Sequence, residues 1–211
     1  MPRATELAEP LPPERFQALL ENALPDFRLD LTGRERLGLA RFLAELDVWR
    51  RRVNLTGRLS CEELVSHALE SAVGAALLPL EARVVDVGTG GGFPGVPLAI
   101  VRPDLSVTWL EPREKRAAFL RHVARAVPVE NAVVAAGRAE DLPVSAFDFA
   151  TSRAVRIETL DPGRFLRPGG SVLLWTTDTN AAAAPPRGFQ LERVLPIPAS
   201  RQRVIAVYRR G

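Results

Sequence analysis

The 211-residue chain has one cysteine, one lysine, one tyrosine, one methionine and two histidines. The lone thiol, Cys61, excludes an intramolecular disulfide. It also argues against zinc or iron–sulfur sites, which need several thiolate or imidazole ligands. No apolar run is long enough to span a bilayer. The first residues, Met1-Pro2-Arg3-Ala4-Thr5-Glu6, lack the apolar core of a signal peptide. A cytoplasmic protein without a membrane partner is expected. The 46% hydrophobic fraction is enough for a full core. One large domain, or one domain with an N-terminal extension, follows from the length. Lys115 is the only lysine among 28 basic residues. That excess fits GC-rich codon usage, which also favours Ala and Pro. Arginine forks bind phosphate, so local clusters are candidates for RNA contact.

The first thirteen residues are rich in Pro and polar groups and are expected to be disordered at the start. From Pro13 to Leu24, Phe16, Leu19, Leu20 and Leu24 recur at helical spacing. Thr32 with Glu35 makes a capping box for a helix expected to reach about Val53. Ser60 with Glu63 repeats that signal. Residues 1–80 therefore read as a helical N-terminal cap, and 81–211 as a second, compact unit. There, expected strands Arg83–Val87, Val107–Leu110, Ala132–Ala135, Phe147–Ala150 and Val172–Trp175 are interleaved with helices Pro94–Val101 and Glu114–Val127. Phe189–Leu195 and Arg203–Tyr208 alternate and form a closing antiparallel pair. The class is α/β, with a mostly parallel sheet and ligand at the strands' C-terminal ends.

The most informative stretch runs Val84-Val85-Asp86-Val87-Gly88-Thr89-Gly90-Gly91-Gly92-Phe93-Pro94-Gly95. A strand ends in a carboxylate, enters a glycine loop and opens a helix. Such a loop lets backbone approach a nucleotide-type cofactor. Gly90 to Gly95 fits the dinucleotide spacing G-x-G-x-x-G, with Glu111 as ribose partner. Asp86, Gly88, Gly90 and Gly92 equally fit motif I of class I S-adenosylmethionine (SAM) methyltransferases. Glu111 serves both cofactors. An oxidoreductase would also need a Tyr–Lys pair or its equivalent, and only Tyr208 and Lys115 are available.

Three further features favour the methyltransferase. Gly137-Arg138-Ala139-Glu140-Asp141 supplies an acid-containing turn after the third strand, and Arg167-Pro168-Gly169-Gly170 leads into the fifth. The closing pair is that fold's way of ending the sheet.

Trp49-Arg50-Arg51-Arg52-Val53-Asn54-Leu55-Thr56-Gly57, His67-Ala68-Leu69-Glu70-Ser71, Asp86–Ile100, Arg138-Ala139-Glu140 and Thr151-Ser152-Arg153-Ala154 go further. With these segments the chain resembles the small-subunit (16S) ribosomal RNA guanine-N7 methyltransferase G family, also called glucose-inhibited division protein B. Arg50 stands where that family has Asn, and Glu70 where it has Asp. The resemblance implies a Rossmann-like SAM fold with an N-terminal helical cap. It implies cofactor contacts at Gly88, Phe93, Glu111, Ala139, Glu140 and Arg153, and methylation of one guanine N7. The small ribosomal subunit or its assembly intermediate is the implied partner of an expected monomer. The chain departs from the family pattern at Trp175-Thr176-Thr177-Asp178, at Ala181–Pro186 and at Val155–Leu160. A diverged methyltransferase with another substrate, or a non-catalytic SAM- or RNA-binding module, are the other classes these departures leave.

Guanine N7 carries a lone pair and no proton, so transfer needs positioning rather than a general base. Arg153, Asn54 and Thr56 are the residues expected at the reacting centre. Arg153 could bind an RNA phosphate, the guanine edge or the SAM carboxylate, and its bland alternative is a salt bridge to Glu140 or Asp148; for Asn54 and Thr56 it is a local Asx-type turn. His67 reads as a helix-face or capping residue, with an RNA contact as its alternative, and His122 as solvent-facing. Arg50, Arg51, Arg52, Arg113, Lys115, Arg116, Arg121 and Arg125 are candidate phosphate contacts. Binding of small-subunit rRNA should therefore weaken steeply as salt rises, measured by filter binding across a salt series. A flat response would argue against an RNA substrate.

Overall fold

The computed structural model describes residues 9–153, 161–181, 185–200 and 202–210. Three helices come first. Helix α1 (Pro13–Phe27) has proline in its first turn, where no N–H is needed, and ends at Arg28 in a left-handed conformation. Helices α2 (Gly33–Trp49) and α3 (Cys61–Val73) both start with complete capping boxes, Thr32/Glu35 and Ser60/Glu63. Helix α2 stops at Trp49, four residues before the expected Val53. Arg50 turns back there to bind the Asp47 carboxylate and the Leu59 carbonyl.

The second part alternates. Strand β1 (Arg83–Val87) leads to α4 (Gly95–Val101), then β2 (Ser106–Leu110), α5 (Glu114–Ala126), β3 (Ala132–Ala135) and β4 (Phe147–Arg153). Short helix α6 (Pro162–Phe165), strand β5 (Leu166–Thr177), short helix α7 (Asp178–Ala181), β6 (Phe189–Pro196) and β7 (Arg203–Arg210) complete it. The expected segment Val155–Leu160 and residues 182–184 of the Ala-Pro stretch lie outside the described residues.

Seven strands form one sheet in the order β3-β2-β1-β4-β5-β7-β6. The first five are parallel to one another, and β7 runs antiparallel to both β5 and β6. This is the α/β architecture expected. The order sets the C-terminal ends of β3, β2, β1 and β4 side by side along one sheet edge.

One face of the sheet carries Val84, Val107, Trp109, Leu173, Trp175, Ile205 and Val207. These share a continuous apolar cluster with α1, α2, α3, α4 and α5. The opposite face carries Val85, Val87, Leu110, Val172, Leu174 and Tyr208, packed with Phe165 and Ala181. The three N-terminal helices thus bury their apolar stripes in the same cluster as the sheet helices. Each fully buried large side chain there contributes roughly 1.5–3 kcal/mol.

His122 is partly solvent-facing, its side chain 40% exposed, and it is also paired across to α2. Its ring lies 5.2 Å from that of Trp49, and Nε2 is 2.6 Å from the Glu45 carboxylate. The approach of α2 to α5 covers part of that side of the helix.

Gly74, just after α3, faces the Trp175 ring. A methyl group placed there would fall 2.2 Å from the ring. Gly74→Ala should destabilise the protein by about 1–3 kcal/mol through overpacking, read by urea denaturation.

Candidate active site

Asp86, the penultimate residue of β1, is fully buried. Its Oδ2 accepts the Gly95 N–H at 3.0 Å, and its Oδ1 accepts the Thr151 hydroxyl at 2.9 Å. The Thr89 hydroxyl donates to its main-chain oxygen at 2.9 Å. Asp86 therefore sits beneath the glycine loop and does not line the cavity above. Gly88, Gly90 and Gly92 take left-handed conformations, which is why glycine fits there. A side chain at Gly92 would meet the Phe42 ring at 2.7 Å, so Gly92 also lies against the cap rather than in the cavity.

Above the loop is a cavity of about 340 Å³. That is within the range of small-molecule sites. Gly88, Thr89, Gly90, Gly91 and Phe93 form its floor. Asn54, Leu55, Thr56, Gly57 and Leu59, between α2 and α3, form the opposite wall. His67, Arg116 and Arg153 close it. The two walls touch: a methyl group on Gly91 would lie 2.9 Å from the Thr56 methyl and 3.0 Å from the Leu55 carbonyl.

Asn54 makes no Asx-type turn. Among the described residues its side chain has no hydrogen bond, while its carbonyl accepts Arg116 Nε at 3.1 Å. Thr56 Oγ1 donates to the Gly57 carbonyl at 3.4 Å. Arg153 stands at the end of β4 and is paired with neither Glu140 nor Asp148. Its Nη2 binds Glu70 Oε2 at 2.7 Å, and Arg203 Nη1 reaches the same oxygen at 2.7 Å. The His67 ring stands edge-on to Phe93, with centroids 5.7 Å apart. Burial, with the nearby Arg153 and Arg203 charges, pushes its pKa down to about 3, so the ring is neutral at physiological pH.

Glu111 follows β2 and is buried beside the loop rather than lining the cavity. Its Oε2 accepts the Gly90 N–H at 3.0 Å, and its Oε1 the Arg113 N–H at 2.9 Å. Each oxygen keeps a further lone pair. Ala139 and Glu140 lie in a 3₁₀ turn, Ala139–Asp141, beyond β3 and outside the cavity wall. Gly137 N–H donates to the Glu111 carbonyl at 3.4 Å, which ties that turn to the end of β2. The Ala139 turn, Glu111, the glycine loop and Arg153 therefore follow one another along the sheet edge.

The sequence-predicted phosphate contacts divide. Arg50 and Arg51 are bound to Asp47, and Arg121 to Glu114. Those pairings are internal braces between residues close in sequence. Arg52, Arg113, Lys115 and Arg125 are exposed, and among the described residues none has a carboxylate partner. The Tyr–Lys pair an oxidoreductase would use is not assembled: Tyr208 is buried and its hydroxyl donates to the Ala181 carbonyl at 2.6 Å. Sequence reading missed the Arg153–Glu70–Arg203 cluster. The glutamate at position 70 was its one visible signal.

Burial raises the Asp86 pKa from 3.8 to about 7, against the lowering effect of its three hydrogen-bond donors. Folding therefore favours the protonated form. The stability this confers is complete below about pH 4 and is lost as pH rises through about 7. Asp86→Asn keeps the neutral form at all pH values. Its stability relative to the native chain should rise, between pH 4 and 8, by on the order of 4 kcal/mol. Urea denaturation at both pH values checks this, and an unchanged difference would contradict the assignment.

Residues 36–180 match the family described as rRNA small subunit methyltransferase G. The chain is 37% identical over 196 residues to ribosomal RNA small subunit methyltransferase G of Xanthomonas campestris pv. campestris (strain 8004), covering 89% of this chain and 90% of that protein. It is 42% identical over 179 residues to the protein of the same name from Sorangium cellulosum (strain So ce56), covering 77% and 71%. In fold it is similar to a SAM-dependent methyltransferase from Aquifex aeolicus, with a TM-score of 0.51 and 16% identity over 64% of this chain and 85% of that one. A nucleotide-type loop at the switch from β1 to β4, a helical cap closing over it and this extent of identity lead to one conclusion: the chain belongs to the rRNA small subunit methyltransferase G family.

Proposed function

We propose that the chain transfers a methyl group from SAM to N7 of one guanine in the 16S rRNA of the small ribosomal subunit or its assembly intermediate. The observation that carries this is the cavity between the glycine loop and the cap, with Arg153 and a neutral His67 at its mouth. We take the working protein to be a monomer that acts in the cytoplasm, where its small-subunit substrate is found. No described helix is long and apolar enough to cross a membrane.

Bound SAM supplies an electrophilic methyl group, which guanine N7 can accept through its in-plane lone pair. The protein's own groups do the holding. Gly91 and Phe93 line the cavity floor, and among the described residues their N–H groups have no hydrogen-bond partner. They are free donors for the cofactor's polar end. Glu111 offers its remaining lone pairs to ribose hydroxyls, and the Ala139–Glu140 turn extends that side of the site. Asn54 and Thr56 stand on the opposite wall, where they exclude water and bound the target base. Arg153 brings the positive charge nearest the base, fixed in place by Glu70. No proton has to leave N7, which accounts for the absence of an acid–base dyad among the described cavity residues. Catalysis is then positioning and electrostatics.

The test is transfer of labelled methyl from SAM to small subunits lacking the modification, with N7-methylguanosine measured in digested rRNA. Transfer to guanine N7 is expected. Arg153→Ala should lower kcat/KM by about 10²–10³-fold. SAM binding by calorimetry with no transfer to the subunits would overturn the reading.

A further inference from the structure

His67 and Arg153 are neighbours in the cavity wall, and their hydrogen-bonding capacities are opposite. The His67 main chain is fully engaged: its carbonyl accepts the Ser71 hydroxyl at 2.6 Å and Arg153 Nη1 at 3.5 Å. Its ring is not. Among the described residues neither ring nitrogen has a hydrogen-bond partner, although the ring is more than half buried and lines the cavity. A neutral imidazole carries one donor and one acceptor nitrogen. Burial first, and then the nearby Arg153 and Arg203 charges, keep it neutral. Because His67 lines the cavity and neither ring nitrogen is a buried atom without a partner, its donor and acceptor are open to a ligand there.

Arg153 is the complement. A guanidinium has five N–H donors and no acceptor. Glu70 takes Nη2, and the His67 carbonyl takes Nη1 at the limit of hydrogen-bond distance. The remaining donors are available to the cavity. Glu70 is buried and shared with Arg203, so it cannot swing to follow a moving guanidinium. Its carbonyl accepts Trp175 Nε1 at 2.8 Å, which pins its backbone to β5.

We propose that this pair reads the edge of the target base: Arg153 donates to guanine O6 while the His67 ring accepts from the adjacent N1–H. This rests on the guanine reading above and names how that site chooses its base. The two atoms it reads are neighbours on the guanine ring, and N7 remains free on the far side of O6 to meet the methyl group. Adenine presents the reverse pattern, an amino group where O6 would be and an unprotonated N1. Arg153 cannot accept from an amino group, so adenine would leave donors facing each other in a desolvated site. His67 is thereby a specificity-determining residue that touches substrate. Glu70 is a positioning residue acting through Arg153.

The experiment uses the full chain and small subunits rebuilt with either guanine or 2-aminopurine at the target position. 2-Aminopurine keeps N7 but lacks both O6 and the N1 proton. The native protein should prefer guanine by more than about 100-fold in kcat/KM. His67→Phe keeps the ring contact with Phe93 but has no acceptor. It should lose about 10–100-fold on guanine and little on 2-aminopurine, narrowing the preference at least about tenfold. His67→Gln restores an acceptor and should keep the preference within about threefold of native. SAM affinity by calorimetry should be unchanged in both variants. An undiminished preference in His67→Phe would overturn the inference while leaving the methyltransferase reading intact. A parallel loss of SAM affinity and transfer in both variants would also overturn it, by assigning His67 to the cofactor. Absence of transfer by the native chain to either substrate would remove both readings together.

Discussion

The Asp86 carboxylate is the constraint on which the site depends. One oxygen holds the first N–H of α4, and the other holds Thr151 on the neighbouring strand β4. A single buried group thus joins β1, the glycine loop, α4 and β4. The loop's shape follows from that tie and from the left-handed backbone at Gly88, Gly90 and Gly92. With no water to compensate, each of these hydrogen bonds is costly to break. The loop is consequently held as a rigid floor, which is what a site working by positioning requires.

The cap is bound to that floor by a second set of contacts. Phe42 of α2 stands edge-on to Phe93 with centroids 5.4 Å apart, and it fills the space a side chain at Gly92 would need. Arg116 of α5 links the Asn54 carbonyl to the vicinity of Gly90. Further along, Glu70 of α3 gathers Arg153 of β4 and Arg203 of β7. The Trp175 indole meets both the Glu70 carbonyl and Gly74. The segment around Trp175, a departure from the family pattern, thus anchors α3 to the sheet.

Features that depend on local chemistry were legible in the sequence. Strand β1 runs Arg83–Val87 and β3 runs Ala132–Ala135, matching expectation residue for residue. Both capping boxes formed, because each joins residues three apart. The parallel sheet followed from the alternation of elements. Strand β4 ran longer than expected because Thr151–Arg153 pair with Leu173–Trp175, and β5 because Thr176 and Thr177 pair with Val204 and Arg203 of β7. What could not be read was side-chain partnership at long range. Arg153 meets Glu70 across 83 residues of sequence, and Arg203 meets it across 133. No periodicity encodes such a meeting. Arg50 shows the converse, since its place in a basic run suggested phosphate and its position three residues after Asp47 made it a brace.

The continuity of the apolar cluster through α1, α2 and α3 into the sheet helices has a consequence for how this architecture can be altered. The N-terminal helices are not a cassette that can be exchanged for another recognition module. Removing them would strip Leu39, Phe42, Leu43, Leu46, Leu64 and Leu69 from the shared interior and expose the sheet face behind them. The helices that shape the substrate's entrance are also the wall that keeps the sheet dry. Drift in substrate preference is therefore confined to the few residues that face the cavity, while the rest of the cap is held to its packing.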